Sequence, residues 1–173
     1  MSQASALLQS LDDRRRALLD SLESLSPEAL CARPAEGAWS SLEILEHLVV
    51  AEQVILQGLP DPATLIDRPR SLRQRCLFPL VVLILRLRIP VNAPSRRMLP
   101  TGGATLAELR ERWDATHAWL RAYAEGLPPG GGGRAVFAHP VCGPITLSQA
   151  LRLDRLHLEV HTRQIRKRSR SSA

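Results

Sequence analysis

The sequence predicts an all-α protein, a four-helix bundle with a long crossover between its second and third helices. Three observations carry this. Leu, Ala and Arg dominate and aromatic residues are only 3% of the chain, a balance that favours helix and leaves few strand formers. Four stretches each carry one apolar stripe at helical spacing. The connection after the first helix is short, which suits an antiparallel neighbour. The one between the second and third can run the length of a bundle, so those two can lie parallel.

The first helix is expected from about Gln3 to Leu25, with Leu8, Leu11, Leu18, Leu22 and Leu25 as its buried stripe. Arg15 interrupts the stripe and is expected to snorkel towards water. Ser26-Pro27 ends the helix, and residues 26–39, with Pro34 and Gly37, read as a loop. The second helix opens on a capping box, Ser40-x-x-Glu43, with Trp39 and Ile44 placed as a hydrophobic staple. It runs to about Gln57, where Gly58 and Pro60 stop it. Its polar stripe is Glu43, Glu46, Gln53 and Gln57, and its apolar side centres on Ile44, Leu48 and Ile55. His47 lies on the border and can turn inward. Glu52 points further in than its neighbours, as an arginine's partner or as support for a metal ligand.

Residues 59–104 form a long connection. Within it Leu80 to Ile89 reads as a short helix across the bundle, covering the core. An exposed apolar patch there would suggest a homodimer or a membrane-surface contact. Residues 92–103, rich in Pro and Gly, are expected to be irregular. The third helix runs from about Thr105 to Gly126 behind a second capping box, Thr105-x-x-Glu108, and buries Leu106, Leu109, Trp113, His117 and Leu120. Pro128 to Gly133 reads as a flexible linker, and residues 135–145 as a structured loop. Thr146-x-x-Gln149 opens the fourth helix, which continues to about Lys167. The expected organisation is one domain, 1–167, and a disordered basic tail, 168–173.

Composition bounds the function. A chain of 173 residues suits one domain with a real core. Net charge is +6, and Lys167 is the only lysine. Arginine excess can mean nucleic-acid contact, but rings for base stacking are scarce and no basic-aromatic interleaving appears, so nucleic acid is disfavoured. Cys31, Cys76 and Cys142 are widely spaced without a C-x-x-C pair, which points to a reducing compartment. No signal peptide is visible. The apolar run Leu77 to Leu85 is interrupted by Pro79 and is too short to span a bilayer. A cytoplasmic protein without a transmembrane segment is expected.

The fourth helix carries the chemistry. His157 and His161 stand at i, i+4, one turn apart on one face. That face also holds Asp154, Leu147, Ala150, Leu151, Leu158 and Ile165, whereas Arg152, Arg155, Glu159, Arg163 and Arg166 gather opposite. Two imidazoles and a carboxylate on a buried stripe are costly unless satisfied. Either they bond to core neighbours or they bind a divalent metal, whose commonest ligand is His.

Height along the bundle tests for a third ligand. His47 lies ~10 Å above the start of its helix; His157 and His161 lie ~14 and ~8 Å from the end of theirs. If the second and fourth helices are antiparallel, the pair brackets His47. His117 is ~18 Å up a helix parallel to the second and reads as a satisfied core histidine. His139, before Pro140 in the loop that enters at the opposite end, reads as structural, and Cys142 in that loop does not read as a catalytic thiol. Three imidazoles leave open positions on a metal, the pattern of a working site. Zn²⁺, Ni²⁺ and Fe²⁺ all fit. Asp154 could orient a ligand, act as a distant fourth ligand, or pair with an arginine.

These residues resemble a known family. Gly37-Ala38-Trp39-Ser40 through Glu46-His47-Leu48, followed late by His157-x-x-x-His161, is similar to the DinB-like (YfiT-type) superfamily, as is His139-Pro140-x-x-Gly143-Pro144-Ile145-Thr146. The likeness covers nearly the whole chain, and the order and spacing of the motifs are more specific than any one of them. It implies an up-down-down-up bundle and a metal held by His47, His157 and His161. For activity it implies a metal-dependent enzyme acting on a small-molecule electrophile, either a hydrolase or an S-transferase using a low-molecular-weight thiol. Glu43, Glu52 and Asp154 are then the candidates to orient groups around the metal. The alternative is a non-catalytic metal-binding stress-response module, monomeric or dimeric, in which the ion only stabilises the fold.

Overall fold

Caps set the helix starts. In the computed structural model, which describes residues 3–65, 69–87, 89, 95–128 and 131–171, Ser40 and Glu43 exchange both capping bonds at the start of α3 (Ser41–Leu56). Thr105 and Glu108 do the same for α5 (Leu106–Glu125), and Thr146 and Gln149 for α6 (Leu147–Ser171). Each box satisfies backbone N–H groups that a helix start otherwise leaves bare. α1 spans Gln3–Glu23. The stretch expected as a loop after it contains a short helix, α2 (Pro27–Cys31), which Ser26 caps and Pro27 opens, Pro being well suited to the first helical turn.

α1, α3, α5 and α6 pack as a closed square: α1 touches α5 and α6, and α3 touches the same two. Leu11, Leu18, Leu19, Leu22, Ile44, Leu45, Leu48, Leu109, Trp113 and Leu158 form the centre of the core. The α3–α6 contacts run in opposite sequence order, from Ser40 O with Arg168, through His47 with His157, to Glu52 with Asp154. The α3–α5 contacts run in the same order, from Glu46 with Thr101 just ahead of α5, through Glu52 with Trp113, to the Pro60 carbonyl just past α3 with the Tyr123 hydroxyl.

Arg15 does not snorkel. It is 1% exposed and sits inside the bundle, bonded to Asp12 at 2.8 Å and paired with Asp114 at 2.6 Å, with its guanidinium over the Trp113 ring. Partners on a neighbouring helix make burial tolerable where a lone charge would be driven out. Glu46, expected on the polar stripe, is also buried. Its carboxylate accepts bonds from Thr101 N, Thr101 Oγ1 and Gly102 N, and so ties the end of the crossover to α3.

The connection expected to hold only a short helix over Leu80 to Ile89 carries a longer one, α4 (Leu72–Leu87), with Pro79 inside it. Ser71 and Gln74 exchange side chain–backbone bonds at its start. Phe78 and Val82 pack with Leu153 and Leu156 of α6, and with Cys142 and Ile145, as a second small core. The expected loop 135–145 is an antiparallel hairpin, β1 (Ala135–His139) and β2 (Gly143–Thr146). His139 Nδ1 accepts from Val141 N and Cys142 N across the turn. Gly143 has φ +68°, a left-handed conformation that glycine adopts without the strain a Cβ would bring.

The expected irregular stretch contains a 3₁₀ turn, Arg96–Met98, with residues 92–94 outside the described residues. Of the expected linker, Gly131–Gly133 forms another. Residues 168–171, expected to be disordered, continue α6; 172 and 173 lie outside the described residues. No helix among the described residues is long and apolar enough to cross a membrane.

Candidate metal centre

His47 projects from the second turn of α3, and His157 and His161 from one face of α6. The reversed contact order of these helices brings the three to one level. Ring centroids of His47 lie 5.2 Å from His157 and 4.9 Å from His161, and the latter two are 4.5 Å apart. One ligand atom from each lies within 4.8 Å of the others. His47 Nε2 is 3.2 Å from His157 Nε2.

The rings are aimed. His47 Nδ1 donates to the Met98 carbonyl at 2.7 Å, so its Nε2 bears the free lone pair. His161 Nδ1 donates to Gln164 Oε1 at 2.9 Å, leaving its Nε2 likewise. Trp39 packs on the His47 ring at 5.1 Å. Fixing one nitrogen of each imidazole with an acceptor selects the tautomer whose other nitrogen can ligate. Burial, then the neighbouring imidazoles, lower His157 to about 3. Burial, then His47, lower His161 to about 4, and burial lowers His47 despite the Met98 bond. All three are neutral near pH 7, the form that binds metal ions. The arrangement can hold one divalent cation through three imidazoles, with positions left for other groups.

The other candidates are bonded to other partners. Glu43 is engaged by Ser40 and by Arg33 at the start of α3. Glu52 and Asp154 bond to each other, and Glu52 also accepts from Trp113 Nε1 at 2.7 Å. Burial raises both carboxyls, Glu52 to about 7 and Asp154 well above the carboxylate range, where the charge of Glu52 adds to the effect. They therefore share a proton at neutral pH. His117 lies between Asp12 and Glu52, 3.3 Å from a carboxylate oxygen of each, although neither ring nitrogen has hydrogen-bond geometry. Burial and then Arg15 lower it to about 4. Cys142 is buried, which raises its thiol and disfavours the reactive thiolate.

Met98, Gln164 and Trp39 support the imidazoles without being legible as support. Met98 acts through its backbone, which no side-chain motif can reveal. Gln164, three residues beyond His161 on one helix, is the one whose spacing could have been read.

YfiT from Bacillus subtilis, described as a probable metal-dependent hydrolase with an unusual four-helix bundle topology, has a similar structure. The TM-score is 0.59 at 20% identity, covering 99% of this chain and 90% of that one. At that identity the likeness speaks for the fold. No protein of curated function matches the chain. The model of the DinB superfamily matches residues 10–165, a span that reaches from within α1 to within α6 and contains all three imidazoles: the chain belongs to the DinB superfamily.

Proposed function

We propose that His47, His157 and His161 hold one divalent metal ion, and that the protein is a metal-dependent enzyme acting on a small electrophilic substrate. The observation that carries this is the convergence of three neutral ring nitrogens within 4.8 Å, one from α3 and two from α6, with two of the rings held by acceptors on their far nitrogen. A bound Zn²⁺, Ni²⁺ or Fe²⁺ would acidify a coordinated water or low-molecular-weight thiol to give a nucleophile at neutral pH. The residues of this chain orient the ligands, keep them unprotonated and shield them with Trp39 and the crossover. The reaction is hydrolysis, or S-transfer if a thiol takes the open position. The fold reading beneath it is the up-down-down-up bundle in one domain, supported by the reversed α3–α6 order and the matched α3–α5 order. Three free cysteines fit a cytoplasmic setting.

Metal content of the purified protein, measured for wild type and His157→Ala, tests the centre. About one equivalent in the wild type and at least a 100-fold weaker affinity in the variant are expected, more than the 10- to 100-fold typical of a lost supporting residue. Equal metal content in both would refute it. Hydrolysis and S-transfer assays with glutathione-, mycothiol- and bacillithiol-like thiols, with and without chelator, then separate the two reactions. Metal binding with neither activity would leave an ion that only stabilises the bundle.

A further inference from the structure

α4 presents two apolar faces and the fold uses one. Phe78, Val82 and Leu85 pack inward. At about 100° per residue, Leu72, Cys76, Leu80, Leu83 and Leu87 fall in one narrow stripe opposite them. Leu72 is 78% exposed, Leu80 47%, Leu83 49% and Leu87 62%. The only charged residues of α4 are Arg73, Arg75 and Arg86; all three are exposed and flank the stripe on its two sides. No Asp or Glu occurs between Asp67 and Glu108. The adjoining groove between α4 and α6 adds Arg155 and Arg163; its one carboxylate, Glu159, is taken up by Arg14 and Arg155.

From this we infer that the outer face of α4 docks on an anionic lipid bilayer, lying in the interface rather than crossing it. An apolar stripe bordered by arginines is the arrangement that sinks leucines to the acyl boundary while guanidiniums meet lipid phosphates. Charge decides among occupants. Two copies joined through this face would set arginines against arginines with no carboxylate on either helix to offset them. A nucleic acid would answer the arginines but leave four leucines without partners, and α4 offers Phe78, buried inward, as its only ring. An anionic bilayer answers both parts.

Co-sedimentation of the full chain with phosphatidylcholine vesicles, with and without phosphatidylglycerol, is the test. Binding is expected only when phosphatidylglycerol is present, and it should fall steeply with added salt. Leu83→Glu should abolish it, and Arg73→Gln and Arg75→Gln should each weaken it about fivefold. These positions are on the surface, so circular dichroism and metal content should match wild type, which separates failure here from failure of the metal centre. No binding to either vesicle would overturn the inference, as would binding indifferent to Leu83→Glu. So would a dimer in analytical ultracentrifugation that Leu83→Glu dissociates, or duplex DNA binding of equal strength.

Discussion

Glu52→Gln should stabilise the protein at alkaline pH and leave it unchanged in acid. In the native state Glu52 is buried and ionises only at about 7, against 4.5 for the free side chain. Between these values the unfolded chain has lost a proton that the native state keeps, so native stability falls as pH rises from 4.5 to 7 and stays lowered above. At about 1.4 kcal/mol per pKa unit the full cost is about 3 kcal/mol. Because the proton is shared with Asp154, Glu52 alone carries about 1–3 kcal/mol of it. Glutamine has the shape of the protonated acid: its oxygen can accept from Trp113 Nε1 and its amide can face Asp154. Urea unfolding of both proteins, in chelator so that bound metal is equal, should show matching midpoints at pH 4.5. At pH 8 the variant's midpoint should be higher by about 1 M, taking a slope of about 2 kcal/mol/M. A variant that is less stable by the same amount at both pH values would refute the reasoning. It would mean that Glu52 is ionised throughout and serves as counter-charge to His117 and Arg15.

The same buried network yields further expectations. His117, lowered to about 4 from 6.5, stays neutral in the native state while the unfolded chain protonates, so it makes stability fall as pH drops from 6.5 towards 4; His117→Gln should flatten that part of the acid-unfolding curve. Asp12→Ala leaves Arg15 buried with Asp114 as its remaining carboxylate, and thermal or urea unfolding should show a loss of about 3 kcal/mol or more. Ser40→Ala removes one half of the α3 capping box and should cost about 1 kcal/mol in urea unfolding.

Capping boxes made the bundle readable. Ser40/Glu43, Thr105/Glu108 and Thr146/Gln149 mark helix starts in sequence because the bonds they make are local, and the structure forms all three. Ser71-x-x-Gln74 carries the same signal for α4, masked by the polar first turn Arg73-Gln74-Arg75 that hides the apolar period. What depended on distant residues was not legible. Arg15 reads as a snorkelling residue because its fate rests on Asp114, almost a hundred positions away. Glu46 reads as solvent-facing because its partners belong to the crossover. The hairpin reads as a loop because its strands are short and β1, Ala-Val-Phe-Ala-His, offers a single β-branched residue. The three imidazoles converge where helical rise and antiparallel packing put them, which is geometry that spacing encodes. Glu52 and Asp154 share the inward faces that spacing indicates, but their bond to each other is a tertiary fact.

The oxygen that fixes the His47 tautomer belongs to the main chain at position 98. Any amino acid can supply a carbonyl, so replacing Met98 by another residue of tolerable size should leave the ring's orientation and ion affinity untouched. Shortening the 95–103 segment by one residue should not, because the imidazole would lose its fixed point while every histidine stayed in place. Under the proposed function, ion affinity follows the path of a loop as well as the ligand set, and an insertion or deletion there is expected to change it without changing a single ligand.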